Sequence, residues 1–215
     1  MLRADLHIHT EYSMDCDMSL DQVIKRCLKK KITCVAIADH GTIEGALKMQ
    51  SLAPFKVIVA EEILTPHGEI MGMFLQETVP SGQSVARVLD AIKAQGGLVC
   101  IPHPYDNLRP SALGGKILAE IVDHVDLVEA FNSRDVLRRH STQTVDFARQ
   151  HDIPTSAGSD AHSLYEIGNA YVEIPEFEGR DEFLQSLRQG KIIGRRSNPL
   201  HRFNGLAKRL RSHFK

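Results

Sequence analysis

Histidine and acidic residues recur at the ends of apolar, strand-like segments along this 215-residue chain. In ADLHIHT, at positions 4–10, Leu6 and Ile8 alternate with Asp5, His7 and His9. Because the side chains of a strand alternate between its two faces, we expect Asp5 and both imidazoles on one face, where the imidazoles can bind a single metal ion. Later strand-like segments end in the same way, with Asp39 and His40, Glu61 and Glu62, His103, and Asp160 and His162.

The candidate metal ligands are imidazoles and carboxylates, with no thiolate among them. They are His7, His9, Asp15, His40, Glu62, Glu69, His103, Asp160 and His162. This mixture favours Zn²⁺, Mn²⁺ or Fe²⁺ over Ca²⁺ or a cysteine-bound structural zinc. Nine ligands are more than one ion takes from a protein, so we expect two to three divalent ions, with positions left for water and substrate. Three such ions and four carboxylates leave a charge of about +2, which attracts a phosphate group.

The elements that carry these residues alternate between strand-like and helix-like periods, which predicts βαβ units. Helices are predicted over about 19–30 with Ser19 as N-cap, from Thr42, over Ser84–Gln95, over 134–151 and over 180–189. The segment 106–115 is predicted to be a surface loop. Seven or so strands suit a closed or nearly closed (β/α)7 TIM-like barrel, and an open doubly wound sheet is the alternative. Active sites of parallel barrels lie at the C-terminal ends of the strands, where the polar candidates fall.

Bulk composition is that of a globular protein, with 42% hydrophobic residues, 25% charged residues and a formal net charge of -1. We find no basic-then-apolar leader and no apolar run of about 20 residues, so we expect a cytoplasmic protein with no membrane partner. The four cysteines show no CxxC spacing, which predicts reduced thiols. Aromatic residues are only 6% and tryptophan is absent, which disfavours a stacking surface for single-stranded nucleic acid.

The C-terminal part of the chain is strongly basic. We expect one domain over 1–200 and a tail over 201–215, and the residues from Lys191 onward include eight Lys or Arg and no acid. Leu206, Leu210 and Phe214 are spaced four apart, which predicts an amphipathic helix packed on the barrel. The alternatives are that Arg195 or Arg196 reaches an anionic substrate, or that the tail contacts nucleic acid.

Five motifs in this order, DLHIHT, ADHGT, EEI…GEIMGMF, IPHP and AGSDAH, resemble those of the polymerase and histidinol phosphatase (PHP) family over residues 1–200. The resemblance implies a distorted seven-stranded barrel with a trinuclear site, which usually acts on phosphomonoesters and sometimes on nucleic-acid 3′ ends. It also implies three ligand sets: His7, His9, Glu62 and Asp160; Asp15, His40 and His162; and Glu62, His103 and Glu69.

Two positions depart from the all-histidine version of this pattern. Asp15 stands where histidinol phosphatases have a histidine, and Glu69 stands where many members have one. The extra carboxylates favour Mn²⁺ or Fe²⁺ over Zn²⁺ and weaken the case for histidinol phosphate as substrate. Asp17 is an alternative to Asp15. For Glu69 the alternatives are His67 as the ligand, or a solvent-facing strand position with no metal role.

These features predict a metal-dependent phosphoesterase that hydrolyses a small phosphomonoester with metal-activated hydroxide. We assign catalysis to Asp160, His162 and Arg134, whose guanidinium can grip a phosphate; a salt bridge on the barrel rim is its alternative role. Arg109 is a further candidate of the same kind. A nuclease or nucleotide phosphatase acting on terminal phosphates, and a non-catalytic metal-binding scaffold, are the alternative functions.

Other polar residues receive structural predictions. Asp5 and Asp39 are candidates to orient the imidazoles, with an ordinary strand-end hydrogen bond as the alternative. Glu61 is expected to be structural or exposed. The remaining histidines are expected on the surface: His124, His140, His151, His201 and His213.

Overall fold

The computed structural model describes residues 1–197, in which nine strands and six α-helices follow one another. The strands are β1 (Leu2–Ile8), β2 (Cys34–Ile37), β3 (Lys56–Thr65), β4 (Gly68–Met73), β5 (Leu98–Ile101), β6 (Leu127–Asn132), β7 (Thr155–Gly158), β8 (Ala170–Ile174) and β9 (Lys191–Gly194). The helices are α1 (Leu20–Lys30), α2 (Glu44–Leu52), α3 (Val85–Ala94), α4 (Gly115–Glu120), α5 (Arg138–Gln150) and α6 (Gly179–Arg188). A 3₁₀ helix covers Val122–His124.

One sheet contains all nine strands, in the order β7-β6-β5-β4-β3-β2-β1-β8-β9. It curls into a nearly closed barrel because the end of β7 meets β1. The amide of Asp160 donates to the carbonyl of His7 at 2.8 Å, and the amide of His9 donates to the carbonyl of Ala161 at 3.1 Å. β4 runs antiparallel to both of its neighbours, so the barrel is distorted. The predicted distorted seven-stranded barrel is confirmed, with β8 and β9 as an antiparallel extension beside β1.

Local signals in the sequence account for the longer helices. Ser19 caps α1 as predicted, because its side chain accepts from the amide of Gln22 and the Gln22 side chain accepts from the amide of Ser19. Ser84 caps α3 by accepting from the amide of Arg87. Two elements were not predicted, α4 and β9. They have six and four residues, which is too short for a hydrophobic period to stand out.

The side-chain alternation predicted for β1 is wrong. Leu6 and Ile8 pack into different core clusters, and the pairing of β1 with β2 shifts register between Asp5 and Ile8. A register shift of this kind re-aims the side chains that follow it. The two histidines still share a site, whereas Asp5 accepts from the amides of Ser159 and Gly168.

Several structural expectations concern residues away from the barrel mouth. All four cysteines are buried and free of disulfides. No helix of the described part is long and apolar enough to cross a bilayer. The whole predicted tail, 201–215, with its Leu206, Leu210 and Phe214, lies within residues 198–215, which are outside the described residues.

Barrel closure depends on a glycine at the end of β7. A Cβ atom added at Gly158 would lie 2.3 Å from the Cβ of His7 and 2.8 Å from Oε1 of Glu129. The first of these atoms sits directly on a strand and cannot move without moving β1. The position therefore requires the absence of a side chain.

We expect Gly158→Ala to lower the free energy of unfolding by about 1–3 kcal/mol, the usual cost of overpacking a core. Urea denaturation of metal-free protein measures this loss. Ser156→Ala, on the same strand, is the matched control. Its hydroxyl makes two long contacts, a 3.5 Å hydrogen bond to the carbonyl of Val128 and a 3.9 Å contact with Sγ of Cys100, so we expect a change below about 1 kcal/mol. Equal denaturation midpoints for wild type and Gly158→Ala would contradict the steric argument.

Candidate metal centre

The two histidines of β1 meet a glutamate from β3 and an aspartate that follows β7. His7 Nε2 lies 3.1 Å from His9 Nε2 and 3.2 Å from Glu62 Oε2. His9 Nε2 lies 3.3 Å from Glu62 Oε2 and 3.5 Å from Asp160 Oδ1. Ligand atoms at about 2.0–2.1 Å from a tetrahedral ion stand about 3.3–3.4 Å apart, so these separations fit one ion.

A second group lies beside the first. Asp15 Oδ2 is 3.2 Å from His162 Nε2 and 3.5 Å from His40 Nε2. The ring of His9 lies against the ring of His162, with centroids 4.2 Å apart, so the two groups touch. The alternative Asp17 is exposed, and the structure places Asp15, rather than Asp17, with the histidines.

The third group uses the other oxygen of Glu62. His103 Nε2 lies 2.9 Å from Glu62 Oε1 and 3.7 Å from Glu69 Oε2. Glu69 is 3% exposed and belongs to a cluster with His40 and Glu62, whereas His67 is exposed in the turn between β3 and β4. The structure therefore brings together all nine candidate ligands, and Glu62 contacts both the first and the third group.

The charges of the centre are strongly coupled. Burial alone would lower the pKa of His7, but the carboxylates of Glu62, Glu129 and Asp160 raise it well above its ordinary value. Burial would likewise raise the pKa of Glu62, but the surrounding histidines hold that pKa well below its ordinary value. Protons on His7 and His9 thus compensate the buried carboxylates in the absence of cations. Divalent ions provide the same compensation, and this donor set fits them.

His162 differs from His7, His9 and His40, whose pKa values are raised. Burial, the neighbouring His9 and the guanidinium of Arg134 lower its pKa to about 4, although Asp15 and Asp160 act in the opposite direction. Its ring is therefore neutral at pH 7, which is the state that binds a metal ion.

Two arginines reach the same centre. Arg109 Nη2 lies 2.7 Å from Asp160 Oδ2, and Arg134 Nη1 lies 2.7 Å from Nδ1 of His162. Arg134 also approaches the Glu166 carboxylate at 3.5 Å, so it makes the rim salt bridge that was its alternative role. Arg195 and Arg196 bind Asn169 and the backbone of Asp135, and the described contacts do not direct either one at the centre.

A supporting glutamate was missed by sequence analysis. Glu129 Oε1 lies 3.1 Å from Nδ1 of His7, and its Oε2 accepts from the amide of His103 and from the side chain of Asn132. A carboxylate of this kind fixes the ring orientation of a metal-binding histidine. The sequence feature that could have identified Glu129 is its position as the one acidic residue within the apolar segment LVEAF.

The other predicted polar residues have mixed outcomes. Asp39 accepts from the amide and hydroxyl of Thr10, so Asp5 and Asp39 both bind backbone amides rather than imidazoles. Glu61 is structural, because it accepts from the amide of Val79. His124 and His151 are exposed as expected, but His140 is 1% exposed, so its surface prediction is wrong. It lies on the inward face of α5. His201 and His213 are outside the described residues.

Backbone geometry at the strand ends is unusual. His103 has φ 31° and Asp160 has φ 51°, the left-handed region that favours glycine. Such conformations cost about 1–3 kcal/mol each and persist where surrounding contacts impose them, often at functional sites. Here they turn both side chains toward Glu62 and the histidines.

Imidazoles and carboxylates converging at the C-terminal end of a distorted α/β barrel are the arrangement typical of metal-dependent barrel hydrolases. Family models agree with this class: a PHP domain model matches residues 5–78, and a PHP-associated model matches residues 139–192. The chain is 34% identical over 179 residues to the uncharacterized protein MJ0417 of Methanocaldococcus jannaschii, covering 81% of this chain and 71% of that protein. The chain belongs to the PHP family.

Solved structures share the fold at low sequence identity. A two-domain protein of Bacteroides vulgatus, described as containing a predicted PHP-like metal-dependent phosphoesterase, aligns with a TM-score of 0.70 and 15% identity. The alignment covers 90% of this chain, which spans only 65% of that structure. An amidohydrolase of Chromobacterium violaceum, solved with sulfate and no metal, aligns with a TM-score of 0.67 and 14% identity over 89% of this chain and 97% of its own.

We expect Glu129→Gln to weaken metal binding about 10- to 100-fold. The neutral side-chain amide of Gln would orient the His7 ring less firmly than the carboxylate does, and it would not increase the basicity of that ring. Competition with a fluorescent chelator measures the affinity. Glu61→Gln is the matched control, since Glu61 is also a buried glutamate but binds the Val79 amide. Equal losses of affinity in the two variants would contradict a specific role for Glu129.

Glu61 also generates a pH prediction. Burial raises its pKa from 4.5 to about 7, although the Val79 amide opposes the shift. Between these values the unfolded chain releases the proton and the folded protein keeps it. The contribution of Glu61 to stability is therefore complete below about pH 4.5 and is lost as the pH rises to about 7.

We expect the Glu61→Gln variant to gain stability relative to wild type across this window. Denaturation of chelator-treated proteins at about pH 5, 6 and 8 measures the difference in unfolding free energy. A difference that stays constant with pH would contradict the shifted pKa.

Proposed function

We propose that this protein is a metal-dependent phosphoesterase that hydrolyses a small phosphomonoester at a di- or trinuclear centre. The observation that carries the proposal is the position of Glu62, with one oxygen facing His7 and His9 and the other facing His103. A carboxylate shared in this way is suited to bridge two cations. Membership of the PHP family supports the same reaction class.

The three groups of side chains would hold the ions. His7, His9, Glu62 and Asp160 form the first group, Asp15, His40 and His162 the second, and Glu62, His103 and Glu69 the third. Divalent ions of this kind, when bound, lower the pKa of a coordinated water and withdraw charge from phosphoryl oxygens. Zn²⁺, Mn²⁺ and Fe²⁺ all suit these nitrogen and oxygen donors.

The arginines supply the groups that bind the phosphate. Arg134 is 10% exposed and Arg109 is 18% exposed at the side chain, so both are mostly buried beside the centre with a small part in contact with solvent. Each can donate two parallel hydrogen bonds to phosphate oxygens. Their charge also steers an anionic substrate toward the ions.

Asp160 and His162 have distinct parts in the reaction. Burial would raise the pKa of Asp160, but Arg109, His7 and Arg134 hold it well below its ordinary value. Asp160 is therefore a weak base, placed to orient the attacking water rather than to deprotonate it. Neutral His162 holds its position between Asp15 and the backbone carbonyl of Asp160.

Metal analysis combined with a phosphatase assay tests the proposal. We expect two to three bound ions per chain and hydrolysis of p-nitrophenyl phosphate in the presence of Mn²⁺, Fe²⁺ or Zn²⁺. His7→Ala should lose metal and reduce kcat/KM by about 100-fold or more, because it removes a ligand of the ions that would activate the attacking water. His124→Ala, at an exposed histidine outside the centre, is the control and should match wild type.

Two other outcomes would contradict the proposed phosphomonoester hydrolysis. Protein without bound metal after incubation with each ion would refute the proposal. Bound metal without turnover of any small phosphomonoester, but with release of phosphate from oligonucleotide ends, would favour a nuclease instead.

A further inference from the structure

A second cluster of potential ligands lies beside the metal centre. Asp106 follows β5, Asp135 follows β6, and His140 lies in the first turn of α5. Their exposed fractions are 0%, 4% and 1%. One ligand atom from each residue lies within 4.8 Å of those of the other two. None of the three belongs to the nine residues described above.

The ring of His140 has the orientation of a metal ligand. Its Nε2 lies 3.2 Å from Oδ1 of Asn107, and that oxygen also accepts from Arg139 at 3.5 Å. Because an oxygen can only accept, the proton of a neutral His140 ring is on Nε2. The lone pair of Nδ1 then faces Asp106 Oδ1, 3.5 Å away. A histidine that binds a metal through one nitrogen usually donates from the other in this way.

Asp135 provides the independent observation. Its Oδ1 atom is buried and has no hydrogen-bond partner among residues 1–197. Burial, together with the nearby Asp106 and Glu129 carboxylates, raises the pKa of this carboxyl to about 7, against the opposing effects of His103 and Arg109. A buried carboxylate oxygen without a partner is costly unless a proton or a cation neutralises it.

Arg109 divides its positive charge between this cluster and the metal centre. Its Nε approaches Asp106 Oδ2 at 3.6 Å, but its Nη2 makes the closer contact, at 2.7 Å, to Asp160 in the metal centre. Among residues 1–197, this guanidinium therefore leaves Oδ1 of Asp135 without a hydrogen-bond partner.

We propose that Asp106, Asp135 and His140 bind one divalent transition-metal ion, at a site separate from the nine-residue centre. Two carboxylates and one imidazole are a ligand set suited to Zn²⁺ or Mn²⁺. The ion would join the loop after β5 to the start of α5. Because Asp106 would then bind the ion, its contact with Arg109 would weaken. The guanidinium of Arg109 would be available to Asp160 and to the substrate.

Zinc stoichiometry after equilibrium dialysis tests the proposal. We expect Asp135→Asn and His140→Gln each to bind one fewer Zn²⁺ per chain than wild type. The double variant His7→Ala/His9→Ala should keep this ion while losing others. His151→Gln, at the exposed end of the same helix, is the matched control and should bind as many ions as wild type.

Anomalous scattering from zinc-soaked crystals locates the ion directly, with a peak expected about 2.0–2.1 Å from Nδ1 of His140. Wild-type zinc content in Asp135→Asn, or no peak at the cluster, would overturn the proposal. A proton shared by these side chains would then neutralise the buried carboxylate. Because Asp135→Asn is nearly isosteric, we expect this variant to fold. Its zinc content tests the proposal even if His140→Gln does not fold. Because these variants leave the nine residues intact, failure here is distinguishable from failure of the phosphoesterase proposal.

Discussion

Glu62 is the side chain on which the metal centre depends. It extends from β3 and contacts histidines from β1 and from the end of β5, so one carboxylate joins three parts of the barrel wall. With 1% exposure, it would be costly as an anion in a purely apolar interior. The imidazoles of His7, His9 and His103 surround it, and its carboxylate favours the protonated forms of His7 and His9. Cations can replace those protons without a change in the ligand cage.

The cage also requires that the barrel close. The loop after β7 donates to the backbone of β1, and this contact brings Asp160 into the group begun by His7 and His9. Gly158 permits the close approach, and the left-handed backbone at Asp160 directs its carboxylate inward. Strain at this residue is offset by the Arg109 contact and by the backbone hydrogen bond to His7. Stability and function are thus coupled at the closing seam.

The described fold was predictable where the determinants are local. The capping box at Ser19 involves residues three positions apart, and the longer helices and most of the strands follow from periodicity and turn residues. The barrel was predictable from strand number and from polar residues at the strand ends. β9 was not, because four partly exposed residues carry no period, and it forms by pairing with β8. The β1 register shift depends on pairing with β2 and is equally invisible in the sequence.

The sequence by itself determined which residues could bind metal, because their types and their places at strand ends are local properties. Only the tertiary structure decided how they group, since the separations between atoms depend on strand order and barrel closure. Glu129 and His140 show the limit of sequence-based prediction. Glu129 is a single acidic residue in an apolar strand, and His140 is a histidine on a helix. Neither local sequence indicates the contact that the side chain makes, with His7 and with Asp106 respectively. Their partners lie in distant parts of the chain, and folding alone brings them together.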